Sequence, residues 1–256
     1  MQFHIFLLIY LALSVSAISR GRNAQQEEFP YVCSLQTSFL VLKSHRCGAV
    51  VLHPEWLVTA GQCGGNALGD FEVLCGVTNL GSEGQRRKVD KFIVHKDFAG
   101  KAGQRNDIAM IKLTEPLVLD KSVNIAKMPV LTLSGSAFVA GWGEKSGGLL
   151  ETLLNMFSQD LQAAQVTMRD QFTCAQLLKE HGVEGLMDET KICSTAPENS
   201  GICSGDAGSP LVQQGVVLGI ASWHSGCASG VPSVFTSVAP HSLWIKNVYN
   251  SNGERQ

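Results

Sequence analysis

Short apolar runs bounded by Gly, Pro, Asn and Ser recur along the chain: Gly48 to Leu52, Ile108 to Leu113, Ala137 to Ala140, Gly215 to Ile220 and Ser233 to Val238. Such runs, punctuated by turn residues at regular intervals, are too short for helices and read as strands of paired β-barrels. No longer internal repeat is present, which excludes a solenoid or a propeller. Helical spacing occurs in two places. Asp170 is placed to cap a short helix through Phe172, Cys174 and Leu178, and Pro240 to open one carrying Leu243, Trp244, Ile245 and Val248. The expected class is therefore all-β with a C-terminal α-helix.

With 256 residues and 45% hydrophobic side chains, the chain can bury one large core or two small ones. Residues 1–17 read as a signal peptide: the apolar run Phe6 to Leu13 precedes the small residues Ser14-Val15-Ser16-Ala17. That run is too short to span a bilayer, so a secreted, extracellular protein is expected, with no membrane partner. The net charge of −2 argues against nucleic acid as the main partner. Arg86-Arg87-Lys88 and Lys91 form a local basic exception, read as a solvated loop face, with a docking patch for an acidic partner as the alternative. No Asn-x-Ser/Thr sequon occurs. Eight cysteines without a Cys-x-x-Cys spacing point to disulfides rather than to a metal or thiol site, and no cofactor is expected.

A series of landmarks then falls in order: Pro30-Tyr31, Thr59-Ala60, Asn106-Asp107-Ile108-Ala109, Gly141-Trp142-Gly143, Gly205-Asp206, Ser222-Trp223 and Cys227. With Gly205-Asp206-Ala207-Gly208-Ser209-Pro210, this series resembles the trypsin-like (chymotrypsin-fold) serine proteases over nearly all of the chain after Ala17. The resemblance implies two six-stranded Greek-key barrels over residues 18–256, with boundaries near 18–128 and 129–238 and a terminal helix near 240–250. It also implies the pairs Cys47–Cys63, Cys174–Cys193 and Cys203–Cys227. Cys33 and Cys75 match no common bridge of the family. They lie in alternating apolar stretches that in this fold are neighbouring strands, so a fourth disulfide is expected between them, with two buried free thiols as the alternative.

Acyl transfer by a serine triad needs a hydroxyl nucleophile, an imidazole base and an orienting carboxylate. Asp107 matches the carboxylate, but Gln62 stands at the place of the histidine and Ala207 at that of the serine. A neutral amide has no basic nitrogen and a methyl group cannot attack a carbonyl. Ser209 reads as a small loop residue, without a base partner. A buried Asp107 needs a donor, so a contact from the Gln62 amide is expected. Gly205 and Ala207 could keep an oxyanion-hole remnant in their backbone N–H groups.

By the same resemblance, the specificity pocket is altered at Gly201, Ser222, His224 and Ser233: no carboxylate awaits a basic side chain, and His224 and Ser233 add bulk that narrows or closes the pocket. The calcium loop is not recognisable, with Val77 at an acidic position and only Glu83 nearby, so no metal is expected. Ile18 directly follows Ala17, so signal cleavage would free an amine for Asp206; the alternative is cleavage after Arg20 or Arg22, which leaves a shorter terminus. These substitutions resemble inactivated serine-protease paralogues of parasitic mites, some acting against host complement. The resulting expectation is that the chain is not an enzyme. It would be a secreted, monomeric pseudoprotease binding a protease, an inhibitor or a cascade component; the alternative is a hydrolase of weak or altered activity.

Overall fold

The computed structural model describes residues 21–39, 42–65, 69–130, 134–144, 157–197, 200–227 and 229–253. The expected signal peptide and Ile18 lie outside the described residues. The first barrel closes from β2 (Val32–Phe39), β3 (Leu42–His53), β4 (Trp56–Thr59), β5 (Asp70–Cys75), β6 (Gln85–Val94) and β7 (Ala109–Leu113), in the order β2-β3-β4-β7-β6-β5. The second uses β8 (Gly135–Gly141), β9 (Gln162–Arg169), β10 (Lys191–Thr195), β11 (Pro210–Gln213), β12 (Val216–Trp223) and β13 (Ser233–Ser237). Its order is β9-β10-β13-β12-β11-β8, closed by pairing of β8 with β9. These are the two six-stranded antiparallel barrels expected. Closure removes the exposed strand edges that an open sheet would present.

Period-2 burial drives strand formation, as β9 shows most clearly: Val166 and Met168 point inward while Gln165, Thr167 and Arg169 face solvent. Trp56, Leu57, Leu74 and Ile111 fill the first barrel, and Phe235 belongs to the core of the second. The helix α1 (Gln171–Glu180) starts at Asp170, whose carboxylate accepts the Thr173 N–H at 2.9 Å. The helix α2 (Val238–Gly253) packs Ile245 and Trp244 onto the core.

Two boundaries differ from the sequence reading. Arg22–Asn23, read as the start of the first barrel, form β1 and pair with Ala163 and Gln162 of β9 in the second. The bond from Ala24 N–H to Leu161 O at 2.8 Å and the Arg22–Glu28 ion pair hold the segment there. The terminal helix begins at Val238, ahead of Pro240, because a proline in the first turn removes an N–H that has no intrahelical acceptor anyway.

The structure joins Cys33–Cys75, Cys47–Cys63, Cys174–Cys193 and Cys203–Cys227, leaving no free cysteine among the described residues. Cys33 and Cys75 are direct register partners on β2 and β5, 4.4 Å apart at Cα. The basic run is not a loop but part of β6, and much of it is internally engaged: Arg86 reaches Glu72 at 2.6 Å, and Arg87 donates to Pro116 O at 2.9 Å. Lys43 also meets Glu72, at 2.8 Å.

Candidate active cleft

The cleft lies where the loop 203–209 of the second barrel meets the first. Gly48 donates to Ala207 O at 2.8 Å, and Gly208, at φ +81°, lies so close to the Gly48 carbonyl and the Thr59 hydroxyl that any side-chain carbon would collide with both. Ala207 sits at the apex, half-buried, its methyl against the core.

Asp107 lies two residues before β7 and is fully buried, with Asn106 before it in the left-handed region at φ 56°. Its Oδ1 accepts the Gln62 backbone N–H at 2.8 Å. Its Oδ2 accepts the Gln62 side-chain amide at 2.7 Å and the Ser222 hydroxyl at 2.6 Å. The contact expected between Gln62 and Asp107 is therefore present, presented by the 3-10 turn Gly61–Gly64. Burial pushes the Asp107 pKa up, while the Ser222 hydroxyl and the Gln62 donors pull it down. The second amide proton of Gln62 goes to Ser222 O at 2.7 Å. Ser222 thus serves this network as well as bordering the pocket.

In the loop itself, Asp206 is fully buried and, among the described residues, accepts two backbone N–H groups, from Gly143 at 2.9 Å and Cys203 at 2.8 Å. Desolvation raises its pKa to about 7, with nearby Glu144 adding to the rise. Ser209 lies beneath the loop: its hydroxyl is buried beside Gly48 and Gly141 with no hydrogen-bond partner among the described residues, and it borders neither cavity of the cleft. Gly205 has φ +90°, and neither its N–H nor that of Ala207 donates to a described residue.

Two cavities of about 370 Å³ each flank Ala207. One is walled by Thr37, His45, Arg46 and Phe157, the other by Ala102, Ile202, Trp223 and His224; Gln62, Gly205 and Ala207 border both. His224 is a wall of an open cavity rather than its plug, its Nδ1 accepting the Gly226 N–H at 3.2 Å and burial lowering its pKa. Gly201 and Ser233 are buried behind the cavity and do not line it.

His45 is a cleft residue that sequence reasoning missed. Its ring bridges Ser34 Oγ at 2.8 Å and Gly205 O at 3.0 Å, so it supports the loop from below. Desolvation drives its pKa down to about 4, and it is neutral at pH 7. A lone His two residues before Cys47 carries no motif of its own, and only the fold brings it beneath Gly205.

The family model for trypsin matches residues 18–245. Trypsin-1 of Astacus astacus is 32% identical, the match covering 88% of this chain and 97% of that protein. Trypsin alpha of Drosophila erecta is 33% identical, covering 90% of this chain and 87% of that one. The solved structure of neuropsin, a serine protease expressed in the limbic system of mouse brain, superposes with a TM-score of 0.77 at 24% identity, covering 90% and 98% of the two chains. The fold is that of a trypsin-like protein, and the chain belongs to the trypsin family.

These relatives correct one expectation. The sequence leads one to expect no enzyme, and the chain stands instead within a family whose matched members include named trypsins. What its side chains state is narrower and concerns one route only. Ala207 presents a methyl group and Gln62 an amide where serine-based acyl transfer uses a hydroxyl and an imidazole.

Proposed function

We propose that this trypsin-family protein acts outside the cell by engaging another protein along the cleft around Ala207, the partner being a protease, a protease inhibitor or a component of a proteolytic cascade. The observation that carries this reading is the pair of cavities sharing Gln62, Gly205 and Ala207, which leaves a continuous open border with unspent backbone donors at its centre. Clefts of this size with a few convergent polar groups are where proteins hold ligands. Four disulfides support an oxidising, extracellular setting. The mature chain in this reading begins at Ile18, and its freed amine is the partner proposed for Asp206.

The test is parallel affinity capture from extracellular fluid with the natural protein and with Ala207→Phe, which fills the border between the cavities. A partner held by the first and lost by the second supports the reading; equal capture by both contradicts it. A second reading, hydrolysis by a route other than attack by residue 207, is favoured by the named trypsins. It requires turnover of a peptide library, or fluorophosphonate labelling, that disappears in Ser209→Ala.

A further inference from the structure

The orientation of the Gln62 side chain is set by its surroundings. Its Nε2 faces two groups that can only accept, the Asp107 carboxylate at 2.7 Å and the Ser222 carbonyl at 2.7 Å. Only the NH2 end of an amide satisfies both, so both amide protons are consumed and the carbonyl Oε1 is left on the other side. That oxygen accepts from no described residue and is not enclosed, and Gln62 borders both cavities. Across the same border, the Gly205 and Ala207 N–H groups have no acceptor among the described residues. Backbone donors cannot stay unpaired without cost, and the open space next to both residues is the cleft.

Two backbone donors and the free Gln62 acceptor thus belong to residues that border both cavities. We propose that Gln62 is a specificity-determining residue: its Oε1 accepts the N–H of a peptide group whose carbonyl oxygen lies on the Gly205 and Ala207 N–H groups. The occupant this pattern selects is an extended polypeptide backbone, with the cavities taking side chains on either side. A ligand offering only acceptors, such as a carboxylate or an ester, satisfies the two donors but sets an oxygen against Oε1. Asp107 and Ser222 act through Gln62, because they hold the amide in the orientation that turns its acceptor outward.

This inference rests on the reading that the cleft engages protein, and the two fail differently. The probes are two pools of capped hexapeptides, randomised in side chains, identical except that the central –NH– is –O– in the second. Each is titrated against the ¹⁵N-labelled protein while the Gly205 and Ala207 N–H signals are followed. The expected result is that both signals move with the amide pool and that the ester pool needs about five- to tenfold more for the same shift, the size of one hydrogen bond. In Gln62→Met, which has similar length and neither donor nor acceptor, the difference between the pools disappears. Equal binding of the two pools to the natural protein overturns the role of Gln62 while leaving the cleft reading in place, and this comparison needs no variant to fold. If neither pool moves Gly205 or Ala207, the cleft reading falls and the inference with it.

Discussion

Asp107 and Asp206 are both fully buried carboxylates next to residues that border one cleft, yet the protein treats them differently. Asp107 is met by the Gln62 backbone N–H, the Gln62 amide and the Ser222 hydroxyl, all within 2.8 Å. Asp206 receives two backbone N–H groups and has Glu144 in its neighbourhood. Burial alone does not decide the charge of such a group; the number and kind of donors aimed at it do. Desolvation outweighs the donors at both and raises both pKa values, to about 7 at Asp206, where fewer donors face the carboxylate.

The largest expected effect is at Asp206. Its folded pKa of about 7 lies above the ordinary 3.8, so the folded chain holds this proton more tightly than the unfolded chain. The stabilisation is complete below about pH 4 and is lost as pH rises toward 7, a span of about 4 kcal/mol. Urea unfolding across this range should show that slope in the full-length chain, and Asp206→Asn should flatten it. A chain beginning at Ile18 sharpens the comparison, since an amine that reaches Asp206 keeps the carboxylate ionised and removes the slope. An unchanged slope in that chain would mean that the amine does not pair.

Next in size is Gln62→Leu, which keeps the bulk but strips the amide donor from Asp107. It should cost about 2–3 kcal/mol at pH 7 and push the Asp107 pKa higher still. Combining it with Asp107→Asn should recover part of the loss, and a double-mutant cycle measures the coupling. Additive costs would show that the contact carries no energy of its own. Ser222→Ala should cost less, about 1–2 kcal/mol, and should free the Gly103 N–H, which donates to that hydroxyl at 3.1 Å, to exchange faster. A loss equal to that of Gln62→Leu would remove the ranking of the donors.

Most of the architecture was legible because its signals are local. The apolar runs Gly48 to Leu52 and Ile108 to Leu113 fall on β3 and, from Ala109, on β7, and Asp170 is an N-cap by its chemistry. The Gln62–Asp107 contact was legible because a buried carboxylate demands a donor. Features settled by tertiary packing were not. Arg22–Asn23 form a two-residue strand with no periodicity to read, and they join the second barrel through register with Ala163 and Gln162. His45 is indistinguishable in sequence from any core histidine, and it reaches Gly205 across 160 residues of chain. His224 suggested bulk in a pocket, but bulk closes a pocket only if the side chain points into it, and here it forms the wall.

The central claim is that the cleft around Ala207 is where a protein partner sits. Hydrogen–deuterium exchange on the protein alone and with its captured partner tests it most directly. Slowed exchange over residues 203–209 and 222–226, the loop and strand end that border the cavities, is the result expected. Protection confined to the basic strand Gln85–Val94, with residues 203–209 unchanged, would contradict it and move the interface to the basic run Arg86 to Lys91.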